Sequence, residues 1–226
     1  MMSEIALRIW PDPILTKKAE PVTDFTPELN TTVIEMTKLM HAADGAGLAG
    51  PQAGLLKRIV VWKIEGREGY WINPEIVSPS ETSQTLQEGC LSFPSILLGV
   101  TRADQVTVRY QDSDGVFHEE ICSGVMAQMA QHEIDHLDGI VFTKNLSHLK
   151  KDIVDRKMKK FKKGVMRLKE KYEQQIRQQL RSQRVQPDTG SLVADTTPAT
   201  PPSPVSTPSE GPNTGDYDFS IRSEQV

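Results

Sequence analysis

The sequence predicts an α+β fold. Strand-like segments come first, and one amphipathic helix follows late, near residues 124–137, instead of alternating with strands as in repeating βαβ units. No internal repeat is visible. Composition then changes twice, which divides the chain into residues 1–149, a basic stretch at 150–184 and a tail at 185–226.

In the first part, Thr26-Pro27-Glu28 reads as a helix N-cap, a first-turn proline and an acidic first turn. Leu29, Val33, Met36, Met40 and Ala43 follow at helical spacing, so this helix has a buried face, and Asp44-Gly45 stops it. Ile59 to Trp62 is a short apolar strand, and Tyr70 to Asn73 is another, ended by Pro74. Val106, Val108 and Tyr110 alternate with polar residues. Asp112-Ser113-Asp114-Gly115 is a turn and Val116 to Cys122 returns, which predicts a hairpin. A helix from about Gly124 to Leu137 follows, closed by Gly139.

The net charge of −4 is segregated: −9 over residues 1–149, +10 over 150–184 and −5 over 185–226. The basic stretch reads as one long polar helix. Its Val154, Met158, Phe161, Val165, Leu168 and Tyr172 form a narrow apolar seam, and its charge suits a polyanionic partner. Residues 187–226 hold 7 of the 15 prolines, many Ser and Thr, and few large apolar side chains. Such a segment cannot bury enough surface to offset ordering entropy, so disorder is expected. No stretch approaches the ~18 apolar residues of a membrane span, and Met1 to Trp10 does not read as a signal peptide. A cytoplasmic protein is expected, with Cys90 and Cys122 unpaired.

The strongest chemical signal is His132-Glu133-Ile134-Asp135-His136. On a helix, positions i and i+4 lie one above the other, so both imidazoles reach one cation, and Glu133 is offset to address a water on it. Val125, Met129, His132 and His136 share one stripe. The first two are either ordinary core or the lining of a substrate pocket. A catalytic metal needs a third protein ligand. Phe142 occupies the position where one class of protease places a third histidine, and Glu170 and Glu173 lie in the basic helix, so a zinc endopeptidase is disfavoured and the ligand is sought upstream. Cys90, in Glu88-Gly89-Cys90-Leu91-Ser92, is the candidate; Cys122 ends a strand-like run and reads as a buried apolar residue. A merely structural metal site would not need Glu133. Gly45-Ala46-Gly47-Leu48-Ala49-Gly50-Pro51-Gln52 fits neither a dinucleotide nor a phosphate loop. It is either a flexible loop or a place where substrate backbone lies against protein backbone, with the Gln52 amide as a donor to an oxyanion.

These three motifs, in this order and spacing, resemble those of peptide deformylases. Trp10-Pro11-Asp12-Pro13 and Ile72-Asn73-Pro74 add to the resemblance, which covers about residues 5–170. It implies antiparallel sheets wrapped around the metal-binding helix, and an enzyme that removes the formyl group from N-formylmethionyl nascent peptides. It implies Cys90, His132 and His136 as ligands, Glu133 as general acid and base, and Gln52 with the Leu91 N–H as the oxyanion site. The Gly47 carbonyl would pair with a substrate amide, Val125 and Met129 would line the methionine slot, and Glu88 would pair with Arg102 behind the metal. One thiolate and two imidazoles suit Fe(II), Zn, Ni or Co, and the family points to Fe(II). The helix at 150–184 is expected to bind the ribosome, and the chain to act as a monomer. Two positions depart from the family pattern: Gly50 replaces an alanine, and Leu97 replaces an arginine that many bacterial members direct at the substrate main chain.

Overall fold

The computed structural model describes residues 5–183. The expected disorder of 185–226 falls outside them. Helix α1 (Pro27–Ala42) leads to β1 (Gly47–Ala49), a 3-10 turn at Gly50–Ala53, β2 (Ile59–Ile64), β3 (Arg67–Pro79), β4 (Ser83–Gly89), β5 (Leu97–Ala103), β6 (Gln105–Gln111), β7 (Phe117–Ser123), α2 (Gly124–Leu137) and α3 (His148–Gln183). Thr26 stands at the N-cap, but its side chain bonds the Glu28 carboxylate, which that contact holds below its usual range, and not the helix backbone.

Five strands form an antiparallel sheet in the order β1-β2-β3-β6-β7, and β4 and β5 form a separate antiparallel pair. The larger sheet is covered on both faces. Val60, Trp62, Trp71, Val106 and Val108 pack with Ala127, Ala130, Ile134 and Leu137 of α2. Ile59, Val61 and Ile72 pack with Val33, Met36 and Met40 of α1. Successive residues of β2 thus point to opposite helices, which is why its sequence is a continuous apolar run without alternation.

Three elements differ from expectation. Pro74 does not end its strand: β3 runs on to Pro79. The pairing of β3 with β6 shifts register between Ile72 and Glu75, so the proline falls where no ladder N–H is needed. The Gly45–Gln52 segment is not a flexible loop, because its centre is β1, at the edge of the sheet. Strands β4 and β5 have no apolar alternation that would announce them. Gln84-Thr85-Leu86-Gln87 is largely polar and is held by cross-strand pairing with Gly99-Val100-Thr101-Arg102.

Gly139 ends α2 with φ +71, and a Cβ there would come within 2.6 Å of the Thr16 carbonyl oxygen. The glycine therefore both closes the helix and lets the N-terminal segment cross beneath it. Helix α3 begins two residues before the basic stretch. Val154 and Met158 are buried in a third cluster with Leu15, Phe93, Ile96, Leu98, Val141 and Phe142. The first compact unit ends at Arg167. Farther along α3, Leu168, Tyr172, Ile176 and Leu180 are exposed. No helix among the described residues is long and apolar enough to cross a membrane.

Candidate metal centre

Helix α2 presents His132 and His136 one turn apart, with the rings edge to face at 5.0 Å between centroids. Cys90 follows the last residue of β4, where the chain leaves the sheet. Its Sγ lies 3.3 Å from His136 Nε2, and the ligand atoms of Cys90, His132 and His136 all fall within 4.8 Å of one another. Two imidazoles and a thiol so close fit one transition-metal ion bound by three protein atoms.

Behind this group, His132 Nδ1 meets Glu88 Oε2 at 3.0 Å, which leaves Nε2 for a metal. Glu88 is held in turn by a two-pronged bond from Arg102, at 2.7 and 3.0 Å. Burial alone would raise the Glu88 carboxyl. The His132 bond and the Arg102 guanidinium outweigh it and hold the carboxyl down at about 2. Arg102 also reaches Asp135 on α2 at 2.6 Å. One guanidinium thereby ties β4, β5 and α2 together. The ion pair between Glu88 and Arg102 implied by the resemblance is present. Asp135 is an addition that the sequence did not single out; its only signal was its place one helical turn after His132.

The two histidines are tuned apart. Burial would depress His132, but its bond to Cys90 and its contact with Glu88 raise it well above the usual value. Burial, together with the charges of His132 and Arg102, pushes His136 well below. A metal must displace protons from such a site, and the buried Glu88 remains as the acceptor that orients His132.

Glu133 points toward β1. A Cβ on Gly47 would lie 2.6 Å from Glu133 Oε1, so the carboxylate occupies space that only glycine leaves open. Glu133 Oε2 is buried with no hydrogen-bond partner in the protein. Burial pushes this carboxyl up to about 7 despite the nearby charge of His132. Gln52 is fully buried. Its Oε1 accepts from the Ala49 N–H at 2.7 Å, which turns Nε2 toward Cys90 Sγ at 3.5 Å. Gly47, Gln52, Cys90, Leu91, His132, Glu133 and His136 thus belong to one neighbourhood, with Leu91 partly buried against the α1 cluster.

Other candidates divide. Met129 is 6% exposed within the core under α2, whereas Val125, on the first turn of that helix, is 52% exposed. Leu97 faces Gly89 across the β4–β5 pair and is 66% exposed beside the Cys90 segment. Cys122 is buried, and burial pushes its thiol up to about 12, as expected of a core residue. Phe142 is not a ligand; its ring lies edge-on to His132 at 5.7 Å and walls the site.

The family model of polypeptide deformylase matches residues 5–152. The peptide deformylase of Acidobacterium capsulatum is 43% identical over 160 residues, spanning 69% of this chain and 94% of that protein. The peptide deformylase of Maricaulis maris is 39% identical over 159 residues, spanning 68% and 91%. The crystal structure of a peptide deformylase from Legionella pneumophila superposes with a TM-score of 0.69 at 39% identity, covering 73% of this chain and 99% of that one. With this match, and with Cys90, His132 and His136 grouped where they could hold a metal, the chain belongs to the polypeptide deformylase family of metal-dependent hydrolases.

Proposed function

We propose that this protein removes the formyl group from the N-terminal methionine of newly synthesised polypeptides, releasing formate and a free amine. The observation that carries the reading is the Cys90, His132 and His136 group beside Glu133, a buried carboxylate with one unpartnered oxygen. A formamide is unactivated, so catalysis has to activate water and stabilise the oxyanion. A divalent metal on these three residues supplies Lewis acidity and lowers the pKa of water from ~15.7 towards ~7. Glu133, poised near neutrality, takes the proton from the attacking water and returns it to the leaving amine. Gln52 Nε2 and the Leu91 N–H donate to the carbonyl oxygen as it gains charge; such a donor is typically worth ~3 kcal/mol.

Substrate placement follows from β1. One side of this strand pairs with β2 and the other is the edge of the sheet, so an extended peptide can add there as a further strand, with the Gly47 carbonyl accepting from its amide. The exposed Val125 lines the methionine slot, and Met129 forms its floor from the core. Leu97 makes the rim beyond the first residue apolar. The donor set suits Fe(II), with Zn, Ni and Co as alternatives. Iron beside a thiolate should lose activity in air and regain it on reloading with Ni or Co. Full activity after days in air with only zinc bound would rule iron out. The basic α3 is a docking element for the ribosome in the cytoplasm, where the substrate emerges.

The reading is tested with a formyl-methionyl peptide beside its unformylated twin. Formate release from the first, with no cleavage of the second, is expected. Internal cleavage of the unformylated peptide would replace this reading with that of an endopeptidase.

A further inference from the structure

We propose that Trp10 and Asp155, 145 residues apart in sequence, form a latch that positions the Cys90 segment; the inference rests on the metal reading above. The indole Nε1–H of Trp10 donates to Asp155 Oδ1 at 2.7 Å. The Trp10 backbone N–H donates to the Ser92 carbonyl at 2.9 Å, and its ring stacks on Phe93 with centroids 5.3 Å apart and planes within 20°. The Phe93 N–H donates to the Cys90 carbonyl at 2.9 Å. Phe93 also meets Phe142 edge-on at 5.2 Å, and Phe142 meets His132 at 5.7 Å. Two residues before Trp10, the Arg8 N–H donates to the Gln52 carbonyl at 2.7 Å. One short N-terminal segment is therefore bonded to both the Gln52 turn and the cysteine segment.

The cysteine segment needs such a tie. Cys90 stands just past β4, so its thiol is not held by the strand pairing that fixes Glu88. Both histidines, by contrast, are carried by a buried helix. Metal release begins with the loss of one ligand, and the segment that carries the Cys90 thiol is fixed through Phe93. The Phe93 ring is fixed by Trp10, and the orientation of the Trp10 ring by a hydrogen bond to a carboxylate, the stronger class of such bonds. Asp155 is itself anchored, since its neighbour Val154 and the following turn's Met158 are buried in the same cluster as Phe93. The root of α3 is therefore part of the frame of the metal site, and neither latch residue belongs to the Cys90, His132 and His136 group.

The test uses the full chain loaded with Co(II) and measures the rate at which excess chelator strips the metal, followed in the cobalt–thiolate absorption. Trp10→Phe keeps a stacked ring and removes the donor; Asp155→Ala removes the acceptor. Each should lose cobalt roughly tenfold faster than the parent. The double variant should be no worse than either single one, because both changes remove the same bond. Val33→Ala, which opens the α1 cluster but leaves the Trp10–Asp155 bond and the Phe93 stack intact, is the control for general loosening and should lower Tm while leaving stripping unchanged. Parent-like stripping in both latch variants overturns the proposal, as does an equal acceleration in Val33→Ala. A parent chain that takes up no cobalt overturns the metal assignment and the latch with it, an outcome distinct from failure of the latch alone.

Discussion

Gly47 and Glu133 make a contact that no other residue at 47 would allow: a Cβ would sit 2.6 Å from Glu133 Oε1 and 3.0 Å from its Cδ and Cγ. The strand edge proposed for the substrate and the carboxylate proposed as acid and base are thereby held in one piece. Gly47→Ala should displace the carboxylate without touching a ligand. The expected result is a fall in kcat of about a hundredfold, the order of cost of an ~1 Å misplacement, with metal content unchanged. Parent-like kcat in this variant would show that Glu133 can move without consequence.

The Glu88 carboxyl, held at about 2 in the folded protein against 4.5 when unperturbed, makes stability depend on pH in a definite direction. A depressed folded value means that its contribution is complete above about 4.5 and is lost as pH falls from there toward 2. Denaturant unfolding of the metal-free protein should show this loss, and Glu88→Gln should flatten the profile in that window. The substitution should also destabilise at neutral pH, by about 1.5–3 kcal/mol, because it removes one of the two anions of the buried Arg102 and leaves it Asp135 alone. An unchanged acid profile in the variant would remove Glu88 from this role.

Much of this centre was legible because its chemistry is local in sequence. The i, i+4 histidines lie on one buried helix with the boundaries its pattern implies, Gly124 to Leu137. What was hidden depends on partners distant in the chain. Strand β1 is made of Gly-Leu-Ala, residues of little strand preference, and exists because β2 pairs with it. Pro74 reads as a strand end until the register shift opposite it is seen. Nothing near Asp135 or Trp10 in sequence announces the partner of either; their roles appear once Arg102 and Asp155 are brought to them. The proposed third ligand is sought upstream because no downstream residue suits, and the geometry brings Cys90 to His136.

The two cysteines should respond differently to alkylation. Cys122 is buried with its thiol pushed up to about 12, so it stays protonated and shielded at pH 8. Cys90 is half-buried at the metal group. Peptide mapping after iodoacetamide should find neither residue labelled in the metal-loaded protein, and Cys90 alone after chelation. Labelling of Cys90 at the same rate with metal bound would argue that it is not a ligand.

For ribosome binding, the informative cut is after Arg167. A cut near Lys150 would take the buried Val154 and Met158 out of the core. The basic side chains of α3 should release counterions on contact with RNA, so co-sedimentation should fall steeply with salt. Truncation after Arg167 is expected to weaken it while turnover of a short formyl-peptide continues. Removing only residues 187–226 should change neither. Equal co-sedimentation of full-length and truncated chains at low salt would remove the part of the helix beyond Arg167 from this role.

The most direct test of the account is the metal content of anaerobically purified Cys90→Ala beside Glu133→Ala. In the proposed site Cys90, which the geometry sets beside His136, is a ligand and Glu133 a neighbour with no bond to the metal. Glu133→Ala should therefore retain one ion per chain and lose most of its deformylation rate, about 10²–10⁴-fold. Cys90→Ala should lose both the ion and the activity. A Cys90→Ala protein that keeps its metal as tightly as the parent and still releases formate would contradict the assignment.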